Sequence, residues 1–142
     1  MVSRGYKDII CYGSDATISI NGKTIVSTDT RGVTIATLNP TSCTLSDVST
    51  FDPYASVSNT QALMTYVSSL HTGTFVLAIT FDDPETNLSP SYSLLKQKLG
   101  VDLSSLQFRG KFAFMAQVGS PQKAVLSLLA PGGDPASLSV MS

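Results

Sequence analysis

The run Thr74-Phe75-Val76-Leu77-Ala78-Ile79-Thr80-Phe81 constrains this chain more than any other segment. A strand wetted on one face alternates polar and apolar residues, so an unbroken apolar run of strand length calls for cover on both faces. Gly73 before it and Asp82-Asp83-Pro84 after it supply the turn chemistry that bounds it. The run is therefore expected to be the most buried strand of a layered fold. The 142 residues are enough for one such domain and too few for two full ones.

The covering elements are legible in the periodicities around that strand. Ala16 to Ile20 and Thr24-Ile25-Val26 flank Asn21-Gly22, the pair best suited to a type I′ hairpin turn because both central residues need positive φ. Asp8 to Tyr12 reads as a further short strand or as the opening half of the same one. Gly32 to Leu38 alternates with Val33, Ile35 and Thr37 on one face, Asn39-Pro40-Thr41-Ser42 turns the chain, and Thr44 to Phe51 returns it as a second hairpin. From Ser56 the period changes: Ala62, Leu63, Tyr66, Val67 and Leu70 fall three and four apart, as on one face of a helix, with Gly73 expected to close it. A second helix is punctuated by Ser89 as N-cap, Pro90 in its first turn, Leu94, Leu95 and Leu99 inward, and Gly100 past its end. Phe112 to Val118 is a strand, and Lys123 to Leu129 with Ala136 to Met141 read as a hairpin closed by Pro131-Gly132-Gly133-Asp134-Pro135.

That order predicts an α+β fold, an α/β sandwich of mixed, mostly antiparallel β-sheets flanked by two main helices. Residues 1–142 form a single domain, with an opening hairpin in 1–30 and a C-terminal hairpin in 120–142.

Composition excludes several functions. Charged residues are 13% of the chain, about half the usual share. The net charge is −1 and the nine basic residues are scattered singly, which argues against nucleic acid and against a polybasic membrane patch. No apolar run approaches the roughly 18 residues of a membrane span, and Met1 to Asp15 lacks the layout of a signal peptide. Ser and Thr stand where surface charges usually do. Such a surface suits a secreted protein, or a subunit of an extracellular fibre, surface layer or virus particle, because burying a hydroxyl costs less than burying a charge. Cys11 and Cys43 permit one disulfide; two buried thiols are the simpler expectation.

Catalysis finds little to work with. His71 is the single imidazole, placed by the pattern at the end of the first helix where it complements the C-terminal partial charge, and no nucleophile motif accompanies it. The strand-to-helix junctions carry no phosphate-binding glycine pattern, and cysteine and histidine are too few for a zinc site. The expectation is a non-enzyme without cofactor or metal. Asp82-Asp83-Pro84-Glu85 is the densest acidic cluster; it suits hydrogen bonds to sugar hydroxyls or a hard cation, or merely caps loop donors. Arg109 precedes the strand expected beside that loop, and either pairs with Asp82 or Asp83 as a clamp or turns with them towards a hydroxylated ligand. Asn87-Leu88-Ser89 fits the glycosylation acceptor pattern, with Pro90 and the cap role of Ser89 against its use.

A resemblance follows from several short motifs in a shared order. Arg31-Gly32-Val33-Thr34-Ile35-Ala36-Thr37-Leu38-Asn39, Phe51-Asp52-Pro53-Tyr54, Gly73-Thr74-Phe75-Val76-Leu77, Phe81-Asp82-Asp83-Pro84, Lys98-Leu99-Gly100 and Phe108-Arg109 with Phe112-Ala113-Phe114 resemble the motifs of the interleukin-like EMT inducer and PANDER domain family. The best-matching core is 31–119. Where that family continues Phe-Arg with Asp-Ser/Thr-Trp, this chain has Gly110-Lys111-Phe112. The resemblance implies a non-catalytic extracellular or lumenal module, with secreted signalling proteins among its relatives. A related carbohydrate-binding stem domain uses an acidic residue of the Asp-Asp segment and the arginine of Phe-Arg. By position these are Asp82 or Asp83 and Arg109, so the expected ligand is a glycan or a glycosylated partner.

Overall fold

A computed structural model of the chain describes residues 6–11, 16–20, 23–28, 31–39, 45–81, 84–107, 110–129 and 137–141. Among the described residues nine strands and two α-helices follow in the order β1 (Tyr6–Cys11), β2 (Ala16–Ile20), β3 (Lys23–Thr28), β4 (Gly32–Leu38), β5 (Leu45–Phe51), α1 (Val57–Ser68), β6 (Phe75–Phe81), α2 (Tyr92–Leu99), β7 (Lys111–Gln117), β8 (Val125–Leu129) and β9 (Ser137–Met141). They build a four-stranded sheet of order β3-β2-β1-β9 and a five-stranded sheet of order β5-β4-β6-β7-β8. Every pairing among the described residues is antiparallel, the limit of the mostly antiparallel sheets expected, and the α+β class holds.

The five-stranded sheet is the middle layer. Val33, Ile35, Val76, Ala78, Phe112, Phe114 and Ala116 share one core with Leu63 and Val67 of α1 and Leu95 and Leu99 of α2. The alternate residues Ala36, Leu77, Ile79 and Ala113 are buried on the opposite face, where β6 and β7 meet β1 and β2 of the other sheet. Cover on both faces is why β6 reads as an unbroken apolar run. Its interior, Val76 to Thr80, is buried throughout.

Both anticipated hairpins in the first half form: Ile20 pairs with Lys23 across a two-residue connection, and β4 pairs with β5. The turn residues Asn21, Gly22 and Pro40 to Ser42, together with Cys43, lie outside the described residues. So do the side chain of Cys11 and the disulfide question with it. At the C-terminus the expected hairpin is not what forms. β8 pairs with β7, whereas β9 pairs with β1, so the chain crosses from one sheet to the other between them. An alternating strand presents the same sequence signature to either sheet, and the choice rests on which edge is open.

The helix ends also depart in detail. Ser56 caps α1 by accepting the Ser58 N–H at 3.1 Å, and the helix stops at Ser68 with Ser69 still right-handed, not at Gly73. Gly73 uses its φ of 96° in the turn into β6, where its N–H meets the Val118 carbonyl at 2.8 Å. His71 is exposed beyond the helix end, away from the last turn where the sequence put it. Ser89 and Pro90 belong to a 3₁₀ turn ahead of α2 instead of capping it, and the buried Ser91 hydroxyl donates back to the Leu88 carbonyl at 2.8 Å. Gly100 is left-handed as anticipated, and its N–H closes on Lys96. Leu95 and Leu99 are buried and Leu94 half-buried; Ala62, expected inward, is exposed.

One pair ties α1 to β5. The Tyr66 hydroxyl donates to Asp47 Oδ2 at 2.7 Å and Ser49 Oγ donates to the same oxygen at 3.0 Å. The Tyr66 bond, then the Ser49 bond, hold the Asp47 carboxyl below its ordinary range, while burial first and Asp47 second raise the Tyr66 phenol. Each shift has its own sign. The Asp47 contribution is present above the ordinary aspartate value and is lost as pH falls through the lowered one. The Tyr66 contribution is present below the ordinary tyrosine value, about 10, and is lost as pH rises through the raised one. We expect NMR titration to show the Tyr66 ring shifts moving only above that value in wild type, and returning towards it in Asp47→Asn; an unchanged midpoint in the variant would refute the coupling.

Candidate functional site

One end of the five-stranded sheet gathers the chemistry. There β4 begins at Gly32 opposite Phe81, the last residue of β6, and β5 ends at Phe51 opposite Val33. β7 begins at the same end with Lys111. The antiparallel order thus brings the Arg31-Gly32 and Phe51-Asp52-Pro53-Tyr54 motifs side by side although they are far apart in sequence.

Arg31 joins them. Its Nε lies 3.1 Å from both Asp52 carboxylate oxygens and Nη2 lies 2.9 Å from Oδ2, the two-pronged geometry that a planar guanidinium allows and an ammonium does not. Its Cζ also stands 4.2 Å over the Tyr54 ring. The loop beneath is held by two amides: Asn59 Nδ2 donates to the Asp52 carbonyl at 2.9 Å, and Asn87 Nδ2 donates to the Pro53 carbonyl at 3.0 Å. Asn87 has a φ of 66°, and its own carbonyl accepts the Thr60 hydroxyl at 2.8 Å. The nitrogen that a glycan would occupy is therefore engaged in holding this loop. With 35% and 27% of their side chains exposed, Arg31 and Asp52 form a partly wetted pair whose role is to fasten the loop to the sheet.

Between β6 and β7 the backbone ladder stops early. Ile79 opposite Ala113 is the last registered pair, and one step on the buried Thr80 hydroxyl stands between the strands. It donates to the Phe112 carbonyl at 2.9 Å and accepts the Phe112 N–H at 3.1 Å. A side chain inserted in place of a direct backbone pair keeps both polar groups satisfied. β4 goes on pairing with β6 to Phe81, and β8 goes on pairing with β7 to Lys111, so each strand is held from its outer side.

Asp82, Asp83 and Arg109 lie outside the described residues. What the described strands establish is that β6 ends and β7 starts as neighbours at this end, as the expected pairing of the Asp82-Asp83 loop with Arg109 requires. Sequence reasoning missed the Arg31-Asp52-Tyr54 cluster, which it used only as a family motif. The signal was there: an arginine before a strand-opening glycine, and an Asp-Pro-aromatic turn closing the next strand. It also missed Thr80, whose hydroxyl looks like any β-branched strand residue, and Lys111, which nothing local marks as buried. Among the described residues no group of three His, Cys, Asp or Glu side chains could hold a metal ion, and no helix is long and apolar enough to cross a membrane.

Comparison with known proteins gives consistent matches. The family model described as interleukin-like EMT inducer matches residues 31–120. Protein FAM3A of Homo sapiens is similar to this chain at 32% identity over 95 residues, which is 66% of this chain and 40% of FAM3A. Protein FAM3A of Pongo abelii and of Mus musculus are similar to the same extent. The matched stretch thus spans less than half the length of these relatives. It contains β4 to β7, α1, α2 and both motifs that Arg31 and Asp52 join.

Proposed function

The chain belongs to the interleukin-like EMT inducer family, a cytokine-like family, and from that premise we propose that it is a non-catalytic, extracellular binding module for a glycan or a glycosylated partner. In this reading Asp82 and Asp83, which follow β6 in the sequence, accept hydrogen bonds from sugar hydroxyls, and Arg109, which precedes β7, donates them. The single observation behind this reading is that β6, which Asp82 and Asp83 follow in the sequence, and β7, which Arg109 precedes, are antiparallel neighbours. At that end the Thr80 hydroxyl bridges the two strands, each strand is paired on its outer side, and the Arg31-Asp52 pair fastens the loop after β5 at the same end of the sheet. Strand ends braced in this way support recognition, because a preorganised site loses little freedom on binding. The low charge fits the same role: hydroxyl-rich surfaces meet sugars through neutral hydrogen bonds.

A glycan array followed by ligand-observed NMR tests the reading. Saturable binding is expected, weakened about tenfold or more in Arg109→Ala, the loss that one or two charge-assisted hydrogen bonds carry. Absence of binding across a broad array, or an Arg109→Ala variant that binds like wild type, would overturn it.

A further inference from the structure

Edge strands ordinarily guard their outward N–H and C=O groups with lysine, proline or a covering segment, because an open edge accepts a further strand. Among the described strands β5 forms one edge of the five-stranded sheet, and its residues Leu45–Phe51 include no lysine and no proline. Nor is it covered. Leu45, Ser46, Asp47 and Val48 are exposed in succession, and since successive side chains point to opposite faces, this half of the strand is open on both. Residues 32–95 contain no lysine or arginine at all, so no neighbouring cation stands guard either. The one charge of the strand, Asp47, already accepts hydrogen bonds from Tyr66 and Ser49 of its own chain. A bulge leaves Ser46 between the pairs Leu38–Leu45 and Thr37–Asp47, and it brings Leu45 onto the face of Val48, where the two apolar side chains are 43% and 40% exposed. Beyond the bulge Asp47 to Phe51 pair one to one with β4, which leaves a regular stretch of about 17 Å along the edge. The adjoining flank of α1 raises no barrier to a second chain: α1 contains no charged residue, and Ala62 and Ser69, within a turn on either side of Tyr66, are small and exposed.

We propose that β5 is a self-association edge, pairing antiparallel with β5 of a second copy of this chain about a two-fold axis at Ser49, so that the two five-stranded sheets become one. The occupant follows from the edge itself. An antiparallel edge is complementary to its own copy under a two-fold. In this register Val48 faces Thr50 of the second copy, a pair of β-branched side chains, and Asp47 faces Phe51, so no charge meets a like charge. With Asp47 bonded inside its own chain, the edge carries no charge that would select a strand of a different protein. So short a seam falls at the small end of specific interfaces, which makes the expected dimer weak and reversible. The proposal is independent of the glycan reading.

Analytical ultracentrifugation of the full chain at concentrations up to about 1 mM tests it. Wild type is expected to show a reversible monomer–dimer equilibrium. Val48→Lys, which puts an ammonium on the seam at an exposed position, should weaken that equilibrium about tenfold, whereas Val125→Lys, exposed on the opposite edge strand β8, should leave it unchanged. Amide hydrogen exchange on wild type reads the seam directly. Alternate N–H groups from Asp47 to Phe51, those turned away from β4, should exchange about tenfold more slowly in concentrated than in dilute samples. A chain that stays monomeric, a dimer that Val48→Lys leaves as tight as wild type, or one that forms without slowing these amides overturns the proposal. Should Val48→Lys fail to fold, the exchange measurement decides: slowing within β5 supports the pairing, and its absence refutes it.

Discussion

Replacing Gly32 with alanine is expected to cost about 3–6 kcal/mol of folding stability, combining a backbone that L-residues rarely adopt with an atomic overlap. Gly32 has a φ of 119°, and a Cβ added there would stand 2.0 Å from the Phe51 carbonyl oxygen. That oxygen belongs to the backbone of β5, the paired strand, so relief requires β4 and β5 to separate. The comparison that isolates the overlap is Gly119→Ala. Gly119 also has a positive φ, 88°, but its added Cβ would meet only the Thr72 Cγ2 methyl, at 2.7 Å. A side-chain methyl can rotate away, leaving a backbone cost of about 1–2 kcal/mol. Chemical denaturation of both variants should therefore rank Gly32→Ala well below Gly119→Ala. Equal losses would mean that the closeness of β5 is not what demands glycine at position 32. Because Arg31 precedes this glycine and Asp52 follows Phe51, the same substitution should also loosen the bidentate pair at the candidate site.

Phe114→Ala is expected to remove about 3–5 kcal/mol, a large part of the roughly 5–15 kcal/mol that holds a domain of this kind together. Phe114 is 1% exposed, stacks 6.1 Å from Phe112 at 7° between ring planes, and lies in the layer between β7 and the helices. Both faces of β7 are covered, so the cavity cannot collapse by letting the strand move outward. The melting temperature should fall by roughly 10–20 °C. Val125→Ala, on the exposed side of the neighbouring β8, should change stability by about 0.5 kcal/mol or less. If the two variants melt together, the helix-side layer is not the principal core.

These two positions differ in how visible they are without a structure. Phe114 declares itself, because Phe112-Ala113-Phe114 in a strand flanked by turns places two aromatic rings on one face. Gly32 is visible as a strand-opening glycine, but the carbonyl that forbids any larger residue comes from Phe51, a partner distant in the chain. The candidate site divides in the same way. The acidic loop after β6 and the segment before β7 are recognisable as unusual residues at strand ends. That Arg31 would grip Asp52, or that most of Lys111 would be buried, depends on which strands lie side by side.

What the amino-acid order determined alone was local: the strands, the two helices, the left-handed Gly100 stop, the Asn21-Gly22 connection and the doubly covered β6. Each depends on backbone preferences and side-chain periods that operate over a few neighbouring residues. Only the tertiary structure decided that α1 ends before Gly73, that β8 and β9 join different sheets, and that the Thr80 hydroxyl bridges β6 and β7. The physical reason is that a strand's pattern states how much of it must be buried and on which face, while its partner is chosen by competition among all free edges of the chain, a comparison that no short stretch of sequence contains.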